Sequence, residues 1–315
     1  MKKAFIAIAA MLCSLALGAR DIYPKPYKTQ ALYPEGQASG RGIIENGREI
    51  TLGAGESNGY STHSMKDPER MQEIGDDAFM EIYLPKKGNG QMILCCPGGG
   101  YAYVSFANEG KQVADWALKK GIAVCVLYYR LPNGHCTVPL TDAQNAMRYC
   151  RAHAGEWGIN QIGVMGFSAG GHLAGSASVL YTDNVTRPDF SVLVYPVIDL
   201  TPALRHSGTS IRLTAEDPEL MEYYSLENHV NAMTPPTLLL LCADDRAVPP
   251  MNSVIYYEKM LEHKVPGELH IFPKGGHGFG FTTEKFGTDR IAPYRAEFFA
   301  ALERFLKERR DERGI

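Results

Sequence analysis

The strongest constraint on this chain is a set of short apolar runs with almost no polar alternation. Met92 to Cys96, Ile122 to Tyr129, Ile162 to Phe167, Ser191 to Val197 and Thr237 to Cys242 all read this way. A strand with one wet face alternates polar and apolar residues; a strand that does not is covered on both faces, as in a parallel sheet. Between these runs lie segments of helical spacing: Glu109 to Lys120 (closed by Gly121), Thr141 to His153, Gly170 to Leu180 and Asn252 to His263. Met80 to Leu84 and Leu269 to Phe272 read as further strands, and Ala292 to Arg309 as a terminal amphipathic helix. The order predicts an α/β class: a mostly parallel sheet wound by right-handed crossovers, with helices on both faces. The stretch from about Asp199 to Pro236 exceeds an ordinary connection. It predicts a small helical insertion over the carboxyl edge of the sheet.

The chemistry-bearing residues fall at the ends of these runs. Gly166-Phe167-Ser168-Ala169-Gly170 follows one strand and opens a helix. That G-x-S-x-G pattern, in that context, makes a sharp turn that lifts a serine hydroxyl above the sheet. Ser168 is the expected nucleophile. A base and an acid are then expected later in the chain, in the order serine, acid, histidine. His277, in Gly275-Gly276-His277-Gly278, follows the last strand and is the expected base. His63, His135 and His153 precede the serine, His270 lies within a strand, His263 ends a surface helix, and His206 and His229 lie in the insertion. His172 is expected to pack beneath the turn. Asp244 and Asp245 both follow the Thr237 to Cys242 strand; Asp245 is the expected acid and Asp244 the residue that holds the loop.

Pro97-Gly98-Gly99-Gly100-Tyr101 follows the Met92 to Cys96 strand. Consecutive glycines let backbone N–H groups approach a negative oxygen, so Gly99 or Gly100, with Ala169, are the expected oxyanion donors. Tyr101, Tyr103 and Phe106 come next, either as a platform for a substrate ring or as core aromatics; Tyr101 and Tyr103 are taken as the substrate-binding candidates. Arg130 is expected to support a neighbouring carboxylate or the glycine loop, and Asp142 to cap a helix. No His or Cys spacing matches a zinc frame, so no metal or other cofactor is expected.

Composition narrows the partners. The 315 residues carry 32 Lys and Arg against 35 Asp and Glu, a formal charge of −3, with no basic run, which argues against nucleic acid. Lys2 and Lys3 precede an apolar run, Ala4 to Leu17, with small residues at Ala16 and Gly18. This has the anatomy of a secretory signal over residues 1–18, too short to span a bilayer comfortably. The expectation is an exported chain, periplasmic or extracellular, with no membrane attachment once the signal is removed. Residues 19–75, rich in Gly, Pro and Tyr, read as an extended segment packed on a catalytic domain at 76–315, with short strands near Ile43-Ile44 and Glu49 to Leu52. Most cysteines sit in apolar runs as buried thiols; Cys136 and Cys150 are the candidates for a bridge.

With these residues placed, the sequence resembles the α/β-hydrolase superfamily. Within it, Tyr128-Tyr129-Arg130-Leu131-Pro132, Tyr223-Tyr224-Ser225-Leu226-Glu227 and Thr234-Pro235-Pro236-Thr237 are similar to bacterial acetyl xylan and feruloyl esterases of the bifunctional type. The resemblance runs from about Met80 to Phe281. It differs from the related H-G-G-G lipase pattern in having Pro97 where that pattern has histidine. It implies an α/β-hydrolase fold and a serine esterase acting on acylated xylan or its oligosaccharides through an acyl-enzyme. No motif separates acetyl from feruloyl preference. Other readings are an esterase for a pectin or sialic acid ester, a serine peptidase of the prolyl-oligopeptidase type, or a non-catalytic carbohydrate-binding relative.

Overall fold

The computed structural model describes residues 23–33, 44–45, 48–49, 78–281 and 293–314. The expected signal segment and most of the extended segment before residue 78 lie outside the described residues. Ten strands are described: β1 (Lys28–Ala31), β2 (Ile44–Glu45), β3 (Arg48–Glu49), β4 (Phe79–Tyr83), β5 (Gln91–Cys96), β6 (Ala123–Tyr128), β7 (Gln161–Phe167), β8 (Ser191–Val194), β9 (Thr237–Cys242) and β10 (Gly267–Phe272). Eight form one sheet in the order β1-β4-β6-β5-β7-β8-β9-β10, and β2 pairs with β3. The β1/β4 and β4/β6 pairs are antiparallel; from β6 to β10 every pair is parallel. β1 was not expected from its sequence. Lys-Thr-Gln-Ala carries no apolar face, and its pairing with β4 is held by backbone bonds at the sheet edge.

Among the described residues seven α-helices accompany the sheet: α1 (Gln112–Lys119), α2 (Thr137–His153), α3 (Ala169–Val179), α4 (Ser207–Thr214), α5 (Pro218–Tyr223), α6 (Met251–Glu262) and α7 (Arg295–Arg313). Every residue of β5, β6, β7 and β9 is buried, so the absence of polar alternation does report two covered faces. α1 and α7 meet through stacked Trp116 and Phe299 rings, 5.6 Å apart. α2 begins a turn earlier than its spacing suggests, with Pro139 at its third position, where a missing N–H costs no helical bond. Asp142 therefore sits inside α2 and does not cap it. The helix expected from Glu109 opens instead with a π-helical turn, Ala107–Lys111, before α1 begins.

The strand order positions the site. The chain leaves β5 toward β6 on one side and leaves β7 toward β8 on the other. β5 and β7 are neighbours in the sheet, so a crevice opens at their carboxyl ends, where ligands bind in open α/β sheets. The expected insertion comprises α4, α5 and a 3₁₀ turn, Leu226–His229. It reaches that edge: Arg212 of α4 donates from Nη1 to the Gly100 carbonyl at 3.3 Å.

Candidate active site

Ser168 occupies the turn between β7 and α3 with φ 55° and ψ −121°, a backbone conformation costly for a residue with a side chain. Close packing imposes it. A Cβ on Gly166 would lie 2.0 Å from the Gly170 carbonyl oxygen, and one on Gly170 would lie 2.2 Å from that of Cys96. The two glycines of the G-x-S-x-G pattern thus let α3 cross over β7 and press on the end of β5.

The hydroxyl of Ser168 meets the loop after β10. His277 Nε2 lies 2.8 Å from Ser168 Oγ, and His277 Nδ1 lies 2.7 Å from Asp245 Oδ2. A carboxylate only accepts, so Nδ1 carries the proton and Nε2 is free to accept from the serine. Asp245 is fixed from its other oxygen, which accepts from the N–H groups of Ala247 at 2.9 Å and Val248 at 3.0 Å. Asp244 does something different: its Oδ1 accepts the Gly276 N–H at 2.8 Å and ties down the loop that carries His277. Residues 168, 245 and 277 stand at the carboxyl ends of β7, β9 and β10, so parallel pairing brings them together across a hundred residues of sequence.

A cavity of about 360 Å³ opens over the serine. Gly99, Gly100, Ala102 and Tyr103 line it from the loop after β5; His206 and Arg212 line it from the insertion. The Gly98 N–H is already bonded to Glu109 Oε2. The Gly99 and Gly100 amides have no protein acceptor among the described residues, and Ala169 heads α3, where the first amides have no intrahelical partner. Burial lowers the His206 pKa, with help from the nearby His277 and Arg212.

Of the two tyrosines expected at the substrate, only Tyr103 borders the cavity. Tyr101 is a correction: it is 2% exposed, and its hydroxyl pairs with His172 Nδ1 at 3.1 Å beneath the serine turn. Its φ of 57° turns the side chain away from the crevice and into the core. Phe106 packs on Tyr128, with ring centroids 5.8 Å apart. His172 is buried under the turn, as its spacing suggested, with Nε2 donating to the Tyr224 carbonyl at 2.9 Å. Arg130 pairs with a neighbouring carboxylate, Asp142. Cys136 and Cys150 are buried and form no bridge: they lie at the start and near the end of the same helix, too far apart along it. Sequence reasoning missed Glu109, His206 and Arg212 as neighbours of the serine. The one signal for Glu109 in the sequence is its place just after the glycine loop.

A family model described as BD-FAE matches residues 80–260, more than half of the chain. The chain belongs to the BD-FAE family. The match takes in Ser168 and Asp245 and stops short of His277, which the fold supplies from the next strand end. An acetylxylan esterase of Xylanibacter ruminicola is 41% identical over 220 residues, which cover 67% of this chain and 46% of that protein. An endo-1,4-beta-xylanase B of Butyrivibrio fibrisolvens is 30% identical over 225 residues, 67% of this chain and 34% of that one. The chain therefore spans less than half the length of these two relatives. Among solved structures, the acetyl ester-xyloside bifunctional hydrolase from Caldicellulosiruptor lactoaceticus superposes with a TM-score of 0.70 at 30% identity, covering 92% of this chain and 98% of that one.

Proposed function

We propose that this chain is an exported serine esterase that removes acetyl groups, feruloyl groups or both from acylated xylan or its oligosaccharides. The observation that carries the reading is the hydrogen-bonded line Ser168–His277–Asp245 at the floor of an open cavity. Ser168 Oγ attacks the ester carbonyl while His277 Nε2 takes its proton; Asp245 holds the ring in the required tautomer and stabilises the imidazolium. The Ala169 amide and that of Gly99 or Gly100 receive the negative oxygen. His277 then gives that proton to the sugar oxygen, which leaves as a free hydroxyl, and an acyl-serine remains. Water, activated by the same nitrogen, attacks that ester and releases acetate or ferulate. The acetylxylan esterase and the acetyl ester-xyloside hydrolase among the relatives support acylated xylose as the substrate class.

The test is release of acetate and of ferulate from acetylated and feruloylated xylo-oligosaccharides, with acetylated pectin and O-acetyl sialic acid alongside. Turnover on the xylan compounds above the other two supports the substrate class. Turnover confined to pectin or sialic acid esters replaces it, and no ester turnover at all overturns the reading.

A further inference from the structure

A second carboxylate lies beside the crevice, and none of the steps above uses it. Glu109 is 4% exposed and sits in the π-helical turn between the glycine loop and α1. Turns of this kind are local departures from regular helix that recur at functional sites. Both carboxylate oxygens are taken by hydrogen bonds. Oε2 accepts the Gly98 N–H at 2.8 Å, and Oε1 accepts the Tyr195 hydroxyl at 2.8 Å. The same hydroxyl oxygen accepts the Gly280 N–H at 2.9 Å. Burial pushes the Glu109 carboxyl up; the bonds from Tyr195 and Gly98 and the nearby His277 oppose that shift.

These partners come from three separate strand ends. Gly98 begins the loop that carries the expected oxyanion donors. Tyr195 follows β8, at φ 37°, an uncommon conformation for a non-glycine residue. Gly280 lies in the loop that carries His277. Tyr195 also lays its ring against His277, with centroids 4.7 Å apart, and against Phe279 at 4.8 Å. The backbone of the π-helical turn adds a direct link, since the Phe281 N–H donates to the Asn108 carbonyl at 3.1 Å. On the other side the glycine loop is wedged. A Cβ on Gly98 would lie 2.6 Å from the Phe167 carbonyl oxygen and 2.9 Å from Glu109 Oε2. The glycine loop thus has no room to shift independently of Glu109 and the serine turn.

We propose that Glu109 and Tyr195 form a positioning pair that sets the oxyanion loop and the histidine loop relative to one another. The pair keeps Gly99, Gly100 and His277 in register around Ser168 without touching substrate. This rests on the serine-nucleophile reading above. A buried carboxylate suits the task because it accepts from two converging donors at once. The glutamine amide does not, because one of its two ends is a donor.

The test uses Glu109→Gln, Tyr195→Phe and the double variant of the full chain. Two readouts are taken: kcat and KM on an aryl acetate, and the second-order rate at which a fluorophosphonate labels Ser168. Labelling needs the base and the oxyanion donors but no natural substrate. Each single variant is expected to lose on the order of 10²-fold in kcat and in labelling rate, the scale of a small misplacement of reacting groups. KM should stay within about threefold, as expected for an interaction made in the transition state. The double variant should be no worse than the poorer single one, because both break one network.

Wild-type rates in the variants, a loss confined to KM, or losses that multiply in the double variant would each overturn the proposal. If Glu109→Gln does not fold by circular dichroism, Tyr195→Phe decides alone, since it removes only a hydroxyl. Rapid labelling of the wild type without ester turnover removes the esterase reading and leaves this test intact. A wild type that is not labelled removes both.

Discussion

Asp245 and His277 are joined at 2.7 Å through Oδ2 and Nδ1, while Asp244, one residue earlier, accepts the Gly276 backbone N–H at 2.8 Å. Adjacent carboxylates thus hold different parts of one loop, the ring and the main chain. Asp245→Asn presents an amide that can donate to Nδ1 and so favours the wrong imidazole tautomer. It should cost about 10⁴-fold in kcat. Asp244→Asn keeps an oxygen for Gly276 and should stay within about tenfold of wild type, with the loss expressed as loop stability. Steady-state kinetics of the two variants on one ester decide the matter; the reverse ranking would exchange the roles.

Arg130 and Asp142 form an ion pair with both side chains fully buried, closed by Tyr33, whose hydroxyl donates to Asp142 Oδ1 at 2.5 Å. Arg130 donates to the same carboxylate from Nε, Nη2 and its backbone N–H. Asp142→Asn leaves a guanidinium without a counter-charge in the core and should cost about 3–5 kcal/mol. At roughly 2–4 °C per kcal/mol for a domain of this size, the Tm should fall by about 6–20 °C. The paired change Arg130→Met with Asp142→Leu should recover most of that loss, because it removes both charges together. Thermal melts of the single and double variants check it; a double variant as unstable as the single would show that the pair matters for something other than charge.

His172 makes stability depend on pH. Burial pushes its pKa down to about 4, and the Tyr224 carbonyl opposes the shift only in part. The unfolded chain, with an ordinary imidazole near 6.5, then binds a proton that the folded chain refuses. Stability from this residue is present above pH 6.5 and is lost as pH falls toward 4, by about 3 kcal/mol over the window. Replacing His172 with Gln removes that dependence. Urea midpoints measured between pH 4 and 7 should fall more steeply with acid in wild type than in the variant. Parallel slopes would contradict the assignment.

Much of the fold was legible because its signals are local. Unalternating strands, helical spacing and glycines at strand ends each follow from a few neighbouring residues. The serine turn was legible for the same reason, and the order serine, acid, histidine followed from the fold class which that turn implies. Three things were not. The Lys28–Ala31 strand has no apolar face, so only the free edge of β4 reveals it. Tyr101 has the same local chemistry as Tyr103, and only the backbone turn at the glycine loop sends one inward and leaves the other at the cavity. Glu109, His206 and Arg212 reach the site through tertiary packing of the π-helical turn and the insertion, which no periodicity in the sequence encodes.

On the proposed esterase reading, Ser168 carries the acyl group. The direct measurement is a rapid-mixing experiment with an activated acetyl ester, quenched in acid and followed by peptide mass mapping. The expected result is a covalent acetyl group on the peptide containing Ser168, its disappearance on further incubation, and neither adduct nor turnover in Ser168→Ala. Turnover by Ser168→Ala at the wild-type rate, or an acetyl group on another residue of the turning-over enzyme, would contradict it.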